Sequence, residues 1–165
     1  MRTTLSYKQF GDPRGEEIIV CLAGFPDNEV TGWGDVLEHL RRTKPGFRII
    51  CMCLPDFEDE PLKETRRPWG YSWDEITTLL HATIEDCVPR DKQFTLMIHD
   101  WGAYGGFMYE NRHPDRVKQI ICFDVAMGIS KGKSIFPPML IVTLYQLWWA
   151  LAYFVSQAIA KVLVS

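Results

Sequence analysis

The chain has 165 residues, of which 47% are hydrophobic, 24% charged and 13% aromatic, with a formal net charge of −3. This length and apolar fraction suit one folded domain and exclude a disordered or purely solvating role. The slight acidic excess argues against nucleic acid as a partner, because proteins that bind phosphate backbones concentrate Lys and Arg on one face.

The five cysteines are Cys21, Cys51, Cys53, Cys87 and Cys122, and four of them lie in runs rich in Ile, Val, Leu or Met. This pattern predicts buried, reduced thiols. A metal site is not predicted, because the Cys-Met-Cys pair is too close for the usual zinc spacing and has no second pair. No cofactor is predicted either. The first ten residues lack the apolar segment of a signal peptide, so a cytoplasmic setting is expected.

Five strands are predicted in chain order. Residues 5–10 alternate apolar and polar side chains, as a half-buried strand does. The other four runs are apolar on both faces, which is typical of parallel strands covered by helices on both sides. These runs are residues 18–22, 47–54, 94–98 and 117–123.

Helices are predicted between the strands. The apolar residues at positions 36, 37 and 40 share one face of a helix that ends before Pro45. Ser72 and Glu75 have the spacing of a capping box, which predicts the start of a second helix. A third helix is predicted from about Ala103 to Asn111. The alternation of strands and helices indicates an α/β fold with an open, mostly parallel sheet.

The composition changes near the carboxyl terminus, where residues 134–160 contain no charge. Residues 139–160 could form one helix of 22 residues, which is long enough to span a bilayer. Polar residues nevertheless recur at helical spacing, which favours a helix facing a wet cleft over a membrane helix. These polar residues are Thr143, Gln146, Tyr153 and Gln157.

Candidate functional residues follow three of the predicted strands: the loop at residues 24–27, Asp100 and Asp124. Ligands bind at the carboxyl ends of strands in open parallel sheets. Asp100 lies between an apolar strand and a helix that begins with small residues, which predicts a tight turn laid out like a nucleophile elbow. The alternative interpretation is that Asp100 only caps the helix.

Residues 99–102 (His-Asp-Trp-Gly), together with residues 24–27 (Gly-Phe-Pro-Asp), resemble the epoxide hydrolase and haloalkane dehalogenase branch of the α/β-hydrolase fold family. Further matches extend the resemblance over about residues 4–125. The resemblance implies that residues 1–130 form the amino-terminal part of the core, truncated after about the sixth strand of that fold. Residues 131–165 would then begin a helical cap.

The resemblance also implies roles for individual residues. Asp100 would attack a substrate carbon and form an alkyl ester that water hydrolyses. The backbone N–H groups of Phe25 and Trp101 would form the oxyanion hole. Pro26, Asp27 and the Trp101 indole would contact the substrate, expected to be a small hydrophobic epoxide or a halide-bearing compound. A serine esterase is disfavoured, because no Ser stands at the turn.

Two further roles are suggested by the same resemblance. Asp124 lies where one dehalogenase group carries the acid that orients a catalytic His, although an Asp at a strand end also caps turns. Tyr145 lies where epoxide hydrolases begin their cap, and a Tyr there would donate a hydrogen bond to the epoxide oxygen. Packing of an aromatic-rich helix is an equally good interpretation of Tyr145.

The sequence departs from the family pattern in two ways. Ile98 occupies a position where the elbow normally has Gly. The downstream catalytic His is absent, and none of the four histidines is expected to replace it. His39 and His81 fall on predicted helices, His113 ends one, and strand alternation should turn His99 away from the nucleophile.

Three functional hypotheses remain open from the sequence. The chain is part of an active hydrolase, an inactive product that serves as a binding module, or a protein anchored to a membrane through residues 139–160. The apolar strand at residues 117–123 would be an exposed sheet edge without further strands, which predicts poor solubility or self-association.

Overall fold

The computed structural model of the chain describes residues 2–59 and 70–124 and, near the carboxyl terminus, residues 140, 143–148, 151 and 155. The chain divides into two units, Met1–Val125 and Ala126–Ser165. The first unit contains five strands and three α-helices in its described part. They are β1 (Tyr7–Gly11), β2 (Glu17–Leu22), α1 (Gly34–Thr43), β3 (Phe47–Met52), α2 (Trp73–Cys87), β4 (Phe94–His99), α3 (Gly102–Arg112) and β5 (Val117–Phe123).

The strands form one sheet in the order β1-β3-β2-β4-β5. β2, β3, β4 and β5 run parallel, and β1 pairs antiparallel with β3. The predicted α/β class and mostly parallel sheet are therefore confirmed. The connections move outward from β2 in opposite directions, toward β3 and then toward β4. This reversal creates a crevice beyond the carboxyl ends of β2 and β4, where open α/β sheets bind ligands.

The two faces of the sheet have separate cores. On one face, α2 and α3 bury a large cluster that includes Leu80, Ile84 and Tyr109. On the other face, α1 alone contributes Leu37 to a smaller cluster that includes Trp33. Helices therefore cover both faces, as the apolar strands require.

The capping box predicted for the second helix is present. The Ser72 hydroxyl accepts a hydrogen bond from the Glu75 backbone N–H at 3.3 Å, and the Glu75 carboxylate accepts one from the Ser72 N–H at 2.9 Å. Both contacts satisfy N–H groups that lack partners within the helix. They fix the start of α2 at Trp73.

The prediction that residues 117–123 are buried on both faces is wrong. Every residue of β5 is half-buried or exposed, and Ile121 and Phe123 are 38% and 39% exposed. The reason is that, within the described residues, β5 pairs with β4 alone. Within the described residues β5 is the last strand of the sheet, which agrees with the predicted sheet edge.

The five cysteines are free, as predicted, and all except Cys122 are buried. Burial raises the pKa of the Cys87 thiol to about 11 and raises the pKa of Cys21 well above its usual range. These thiols are therefore neutral side chains that pack like small apolar groups.

In the second unit, Leu140, residues 143–148, Leu151 and Val155 are helical and exposed. Within the described residues, no helix is long and apolar enough to cross a membrane. Most of the segment 139–160, for which a membrane helix was one alternative, lies outside the described residues, as do Tyr153 and Gln157 of its polar stripe.

Candidate active site

Asp100 lies in the turn between β4 and α3. Its φ angle is +49°, and its carbonyl oxygen accepts a hydrogen bond from the Ala103 N–H at 3.0 Å as the helix begins. A side chain other than Gly in this left-handed region costs about 1–3 kcal/mol and persists only when its surroundings hold it. The turn therefore stores backbone strain at the residue that carries the carboxylate.

Gly102 allows α3 to begin directly against the end of β2. A Cβ atom on Gly102 would lie 2.6 Å from the carbonyl oxygens of both Leu22 and Ala23. No side chain tolerates such a distance to backbone oxygens. Gly102 is thus required for the close approach that brings Asp100 to the end of β2.

The branched side chain of Ile98 is accommodated by a missing side chain on α3. Ile98 is fully buried, and a Cβ atom on Gly106 would lie 2.5 Å from its Cγ2 atom. The space that a Gly would leave in the strand is provided instead by a Gly in the facing helix. The departure from the family pattern at this position is therefore compatible with the tight turn.

The loop after β2 holds the Asp100 carboxylate from the other side. The Phe25 backbone N–H donates a hydrogen bond to Asp100 Oδ2 at 3.0 Å. This contact needs Gly24, because a Cβ atom there would lie 2.6 Å from Asp100 Oδ2 and 2.7 Å from the His99 carbonyl oxygen. Asp100 Oδ1 has no hydrogen-bond partner within the described residues.

Exposed aromatic rings lie on both sides of this carboxylate. Phe25 and Trp101 are 48% and 49% exposed. Phe25 packs edge-on against Phe57 with ring centroids 5.3 Å apart, and Trp101 stacks on Trp73 at 6.2 Å. Tyr104 extends the second group, since its ring centroid lies 4.9 Å from that of Trp73. An apolar molecule next to Asp100 would therefore contact aromatic surface.

Known proteins resemble this chain in sequence and fold, although no protein-family model matches it. A haloalkane dehalogenase from Mycolicibacterium smegmatis is 31% identical over 110 residues, which cover 67% of this chain and 33% of the dehalogenase. An epoxide hydrolase variant from Vigna radiata is 25% identical in its solved structure, with a TM-score of 0.60 over 81% of this chain and 39% of that one. The described residues form part of an α/β-hydrolase core, and the chain has homologues among epoxide hydrolases and haloalkane dehalogenases.

A third relative is an epoxide hydrolase variant from Bacillus megaterium, solved in complex with its product. It is 25% identical, with a TM-score of 0.53 over 73% of this chain and 38% of that one. The relation to epoxide hydrolases and haloalkane dehalogenases is distant, and it involves their amino-terminal portions. The chain spans 33% to 39% of the length of these three proteins.

His99 joins two of the predicted strand-end carboxylates. Its Nε2 atom lies 3.3 Å from Asp124 Oδ2, and its Nδ1 atom lies 3.9 Å from Asp27 Oδ2. The Trp33 ring meets the imidazole edge-on at 6.2 Å. Strand alternation predicted that His99 turns away from Asp100, but it did not predict this bridge. All three residues follow or end adjacent parallel strands, and this shared position at one edge of the sheet could have indicated the contact.

The two bridged carboxylates differ in their surroundings. Asp27 also accepts a hydrogen bond from the Thr31 hydroxyl at 3.1 Å, so its carboxylate is tied into its own loop. Asp124 has a φ angle of +49°, like Asp100, but its side chain is 87% exposed. Pro26, the remaining predicted contact of the substrate, is exposed.

The other histidines lie away from the elbow. His81 and His113 stack on each other, with ring centroids 4.1 Å apart, at the opposite end of α3, and His39 is exposed on α1. None of the four imidazoles forms a hydrogen bond or an ion pair with Asp100.

Tyr145 is 60% exposed in the second unit. No group of His, Cys, Asp and Glu in the described residues could hold a metal ion.

Proposed function

We propose that the chain carries the nucleophilic half of an epoxide hydrolase site, in which Asp100 forms an ester with the substrate. The observation that carries this proposal is a carboxylate on a strained strand-to-helix turn, with one oxygen held by the Phe25 N–H at 3.0 Å. Mere helix capping does not account for this contact, because a capping carboxylate accepts from the first turn of its own helix.

The first step needs only the Asp100 carboxylate, the epoxide and a water molecule that gives up a proton. Asp100 Oδ1 attacks one epoxide carbon, the ring C–O bond breaks, and the ring oxygen takes a proton from water to become a hydroxyl group. Asp100 then carries a 2-hydroxyalkyl ester whose carbonyl oxygen is Oδ2. In the second step water would attack the carbonyl carbon, and the N–H groups of Phe25 and Trp101 would stabilise the negative charge on Oδ2. The bond between that carbon and Oδ1 would then break, which releases a diol and leaves Asp100 as a carboxylate.

The second step requires a general base that activates water. No histidine forms a hydrogen bond or an ion pair with Asp100. The Nε2 atom of His99 lies 3.3 Å from Asp124 Oδ2, and its Nδ1 atom is buried without a hydrogen-bond partner within the described residues. Asp124 would orient a catalytic His only in a protein that also contains that His. Tyr145 would donate a hydrogen bond to the epoxide only in a protein with a complete cap. We expect the chain alone to accumulate the ester rather than turn over.

The aromatic surface around Asp100 favours a hydrophobic substrate. The relative from Bacillus megaterium is an epoxide hydrolase, which supports an epoxide. The 31% identity to a haloalkane dehalogenase supports a second candidate, in which the same carboxylate oxygen displaces halide from carbon. Both reactions leave an alkyl ester on Asp100, and only the second releases halide.

The experiment is intact-mass and peptide mass spectrometry after incubation of the full chain with styrene oxide or with 1-bromobutane. On the peptide that contains Asp100, we expect the added mass of one styrene oxide molecule or, in the second case, of one bromobutane molecule less HBr. Asp100→Asn should abolish this adduct. Asp56→Asn is the matched control, because Asp56 also has a positive φ of 72° but lies outside the site, and it should retain the adduct.

Two results would overturn the proposal. One is a folded chain that forms no ester with either class of compound, which would favour the binding-module hypothesis. The other is an adduct of equal yield in Asp100→Asn, which would place the reaction on another side chain. Release of bromide together with ester formation, in the absence of any reaction with the epoxide, would favour the dehalogenase alternative.

A further inference from the structure

Glu29 is an acidic residue that is almost fully buried in the loop after β2, where its exposed fraction is 2%. The same loop carries Phe25, whose backbone N–H donates to the Asp100 carboxylate. Burial of a carboxylate is costly unless its oxygens accept hydrogen bonds. The hydrogen-bond partners of Glu29 therefore indicate what its burial achieves.

Both carboxylate oxygens of Glu29 have partners, and the two partners lie in different segments of the chain. Oε1 accepts a hydrogen bond from the Ser6 hydroxyl, in the segment before β1. Oε2 accepts one from the Asp59 backbone N–H at 3.1 Å, in the loop after β3. Glu29 thus joins three segments: the residues before β1, its own loop after β2, and the loop after β3.

The thiol of Cys53 also faces the Glu29 carboxylate. Burial raises the pKa of this thiol, the Glu29 and Glu58 carboxylates raise it further, and Arg2 opposes the effect. The thiol is therefore neutral, and it forms a hydrogen bond with the Glu29 side chain. Because Cys53 directly follows β3, Glu29 contacts the loop after β3 near its beginning as well as at Asp59.

The loop that contains Glu29 is held together by its own hydrogen bonds. The Thr31 hydroxyl donates to the Asp27 carboxylate at 3.1 Å, and Asn28 Oδ1 accepts from the Thr31 N–H at 2.9 Å. Such side-chain contacts to a neighbouring backbone fix the shape of a turn. They connect residues on both sides of Glu29, so a displacement of Glu29 would be passed along the loop to Phe25.

A second path from Glu29 to Phe25 runs through the loop after β3. Phe57 lies in that loop, and its ring packs edge-on against the Phe25 ring with centroids 5.3 Å apart. The next residue, Glu58, is buried and forms an ion pair with the Arg2 guanidinium. The loop after β3 is therefore anchored, and it presents a fixed aromatic surface to Phe25.

We propose that Glu29 is a positioning residue for the reaction of Asp100. It holds the loop after β2 where the Phe25 N–H reaches Asp100 Oδ2, which leaves Oδ1 available for attack. The effect on ester formation rests on the proposed function, whereas the effect on the Phe25 N–H does not. Misplacement of a reacting group by about 1 Å slows a reaction by up to about 100-fold, so loss of the Glu29 contacts should slow ester formation about tenfold.

The test compares Glu29→Ala with Glu29→Gln in the full chain. Gln fills the same space, and its amide accepts from the Asp59 N–H and donates to the Ser6 hydroxyl oxygen. In Glu29→Ala the rate of ester formation at saturating styrene oxide should fall about tenfold, whereas the half-saturating concentration should change less than about twofold. Glu29→Gln should restore the rate to within about threefold of the wild-type chain.

Thr83→Val is the matched control for a loss of stability. The Thr83 hydroxyl is buried on α2 and accepts a hydrogen bond from the Leu5 backbone N–H at 2.8 Å. Like Glu29, it anchors the segment before β1, but it belongs to a different element from the loop after β2. Thr83→Val should lower the denaturation midpoint and leave the rate of ester formation unchanged. If Thr83→Val slows ester formation as much as Glu29→Ala does, the proposal is overturned.

Hydrogen exchange at the Phe25 amide measures the positioning without any chemistry. Glu29→Ala should speed this exchange about tenfold and leave exchange of the buried Leu96 amide in β4 unchanged, whereas Glu29→Gln should preserve both. If Glu29→Ala does not fold, Ser6→Ala removes one of the two partners and should give a smaller change in the same direction. Equal exchange at Phe25 in the variant and the wild-type chain would contradict the proposal.

The two measurements separate this inference from the proposed function. Faster exchange at Phe25 in Glu29→Ala, in a chain that forms no ester, would support the positioning of the Phe25 N–H and contradict the proposed function. Equal rates of ester formation in the wild-type chain and in Glu29→Ala would support the proposed function and overturn the role of Glu29.

Discussion

The two ends of α3 differ in their backbone strain and in their packing. At its amino-terminal end, Asp100 has a left-handed backbone, and Gly102 packs against carbonyl oxygens that no side chain would tolerate. At its carboxyl-terminal end, Tyr109 is fully buried and the rings of His81 and His113 stack beside it. One end stores strain around a carboxylate, and the other end fills space with large rings.

The difference shows how the strain at the elbow persists. A strained residue is stable only where its surroundings hold it. Tyr109 lies in the same core cluster as β2 and β4, the strands that hold the elbow. Packing at the far end thus offsets strain at the near end. Substitutions at the near end should disturb the chemistry, whereas substitutions at the far end should change stability alone.

The largest effect on ester formation is expected from Gly24→Ala, which changes the near end of α3 directly. The added Cβ atom would meet Asp100 Oδ2 at 2.6 Å and a backbone oxygen at 2.7 Å. The unfolding free energy should fall by about 1–3 kcal/mol. Displacement of the carboxylate should slow ester formation about 100-fold. Chemical denaturation and the rate of adduct formation by mass spectrometry measure the two effects.

Gly34→Ala is the control for this substitution. Gly34 is the first residue of α1, has a φ angle of −39°, and offers open space to a Cβ atom. Ala at this position should stabilise the chain by up to about 1 kcal/mol and leave ester formation unchanged. Equal losses of ester formation in the two variants would mean that the close approach at Gly24 has no role in holding the carboxylate.

The next prediction concerns the contact between Ile98 in β4 and Gly106 in α3. Gly106→Ala should destabilise the chain by about 1–3 kcal/mol, because the new Cβ atom lies 2.5 Å from Ile98 Cγ2. Ile98→Ala should cost about 2–5 kcal/mol through the cavity it leaves. The double variant should lose less than the sum, with a coupling of about 1–3 kcal/mol in a denaturation cycle. Strict additivity would show that the two positions do not share space.

The sequence predicted most of the fold because burial and local capping leave direct patterns. Apolar runs indicated β2, β3 and β4, and the Ser72 capping box marked the start of α2 within one residue. The same reasoning failed for β5, whose apolar composition predicted burial. Burial of a strand depends on its neighbours as well as on its own residues, and the described structure provides a neighbour on one side.

The candidate site was predictable in its parts but not in its contacts. Asp100, Asp27 and Asp124 follow strands that the sequence identified, so their common edge could be inferred. The bridge through His99 depends on side-chain direction at the last residue of β4. The fit of Ile98 to Gly106 depends on how α3 crosses the sheet. Neither contact leaves a periodic pattern in the sequence, so both became visible only in the packed structure.

Tyr109→Phe should give a smaller change, of opposite sign, at the far end of α3. The Tyr109 hydroxyl is buried without a hydrogen-bond partner within the described residues, and burial raises its pKa to about 12. Removal of an unsatisfied buried hydroxyl should stabilise the chain by about 1 kcal/mol. Tyr104→Phe, at a 53% exposed ring, should change stability by less than about 0.5 kcal/mol. A destabilised Tyr109→Phe would show that the hydroxyl has a partner.

The smallest effect is a pH dependence at the same end. Partial burial and the neighbouring His81 lower the pKa of His113, while Glu85 opposes and Arg112 and Arg116 reinforce this effect. The unfolded chain therefore binds a proton more readily than the folded chain as pH falls through about 6.5. The stabilising contribution of neutral His113 is complete above that pH and is lost below it.

His113→Gln should flatten this part of the stability profile, whereas His39→Gln, at an exposed position on α1, should leave it intact. Denaturation midpoints between pH 5 and 8 measure the difference. Ester formation on Asp100 is expected to keep the same pH profile in both variants, because His113 lies at the end of α3 away from the elbow. A changed profile of ester formation in His113→Gln would show that the two ends of α3 are coupled chemically as well as through packing.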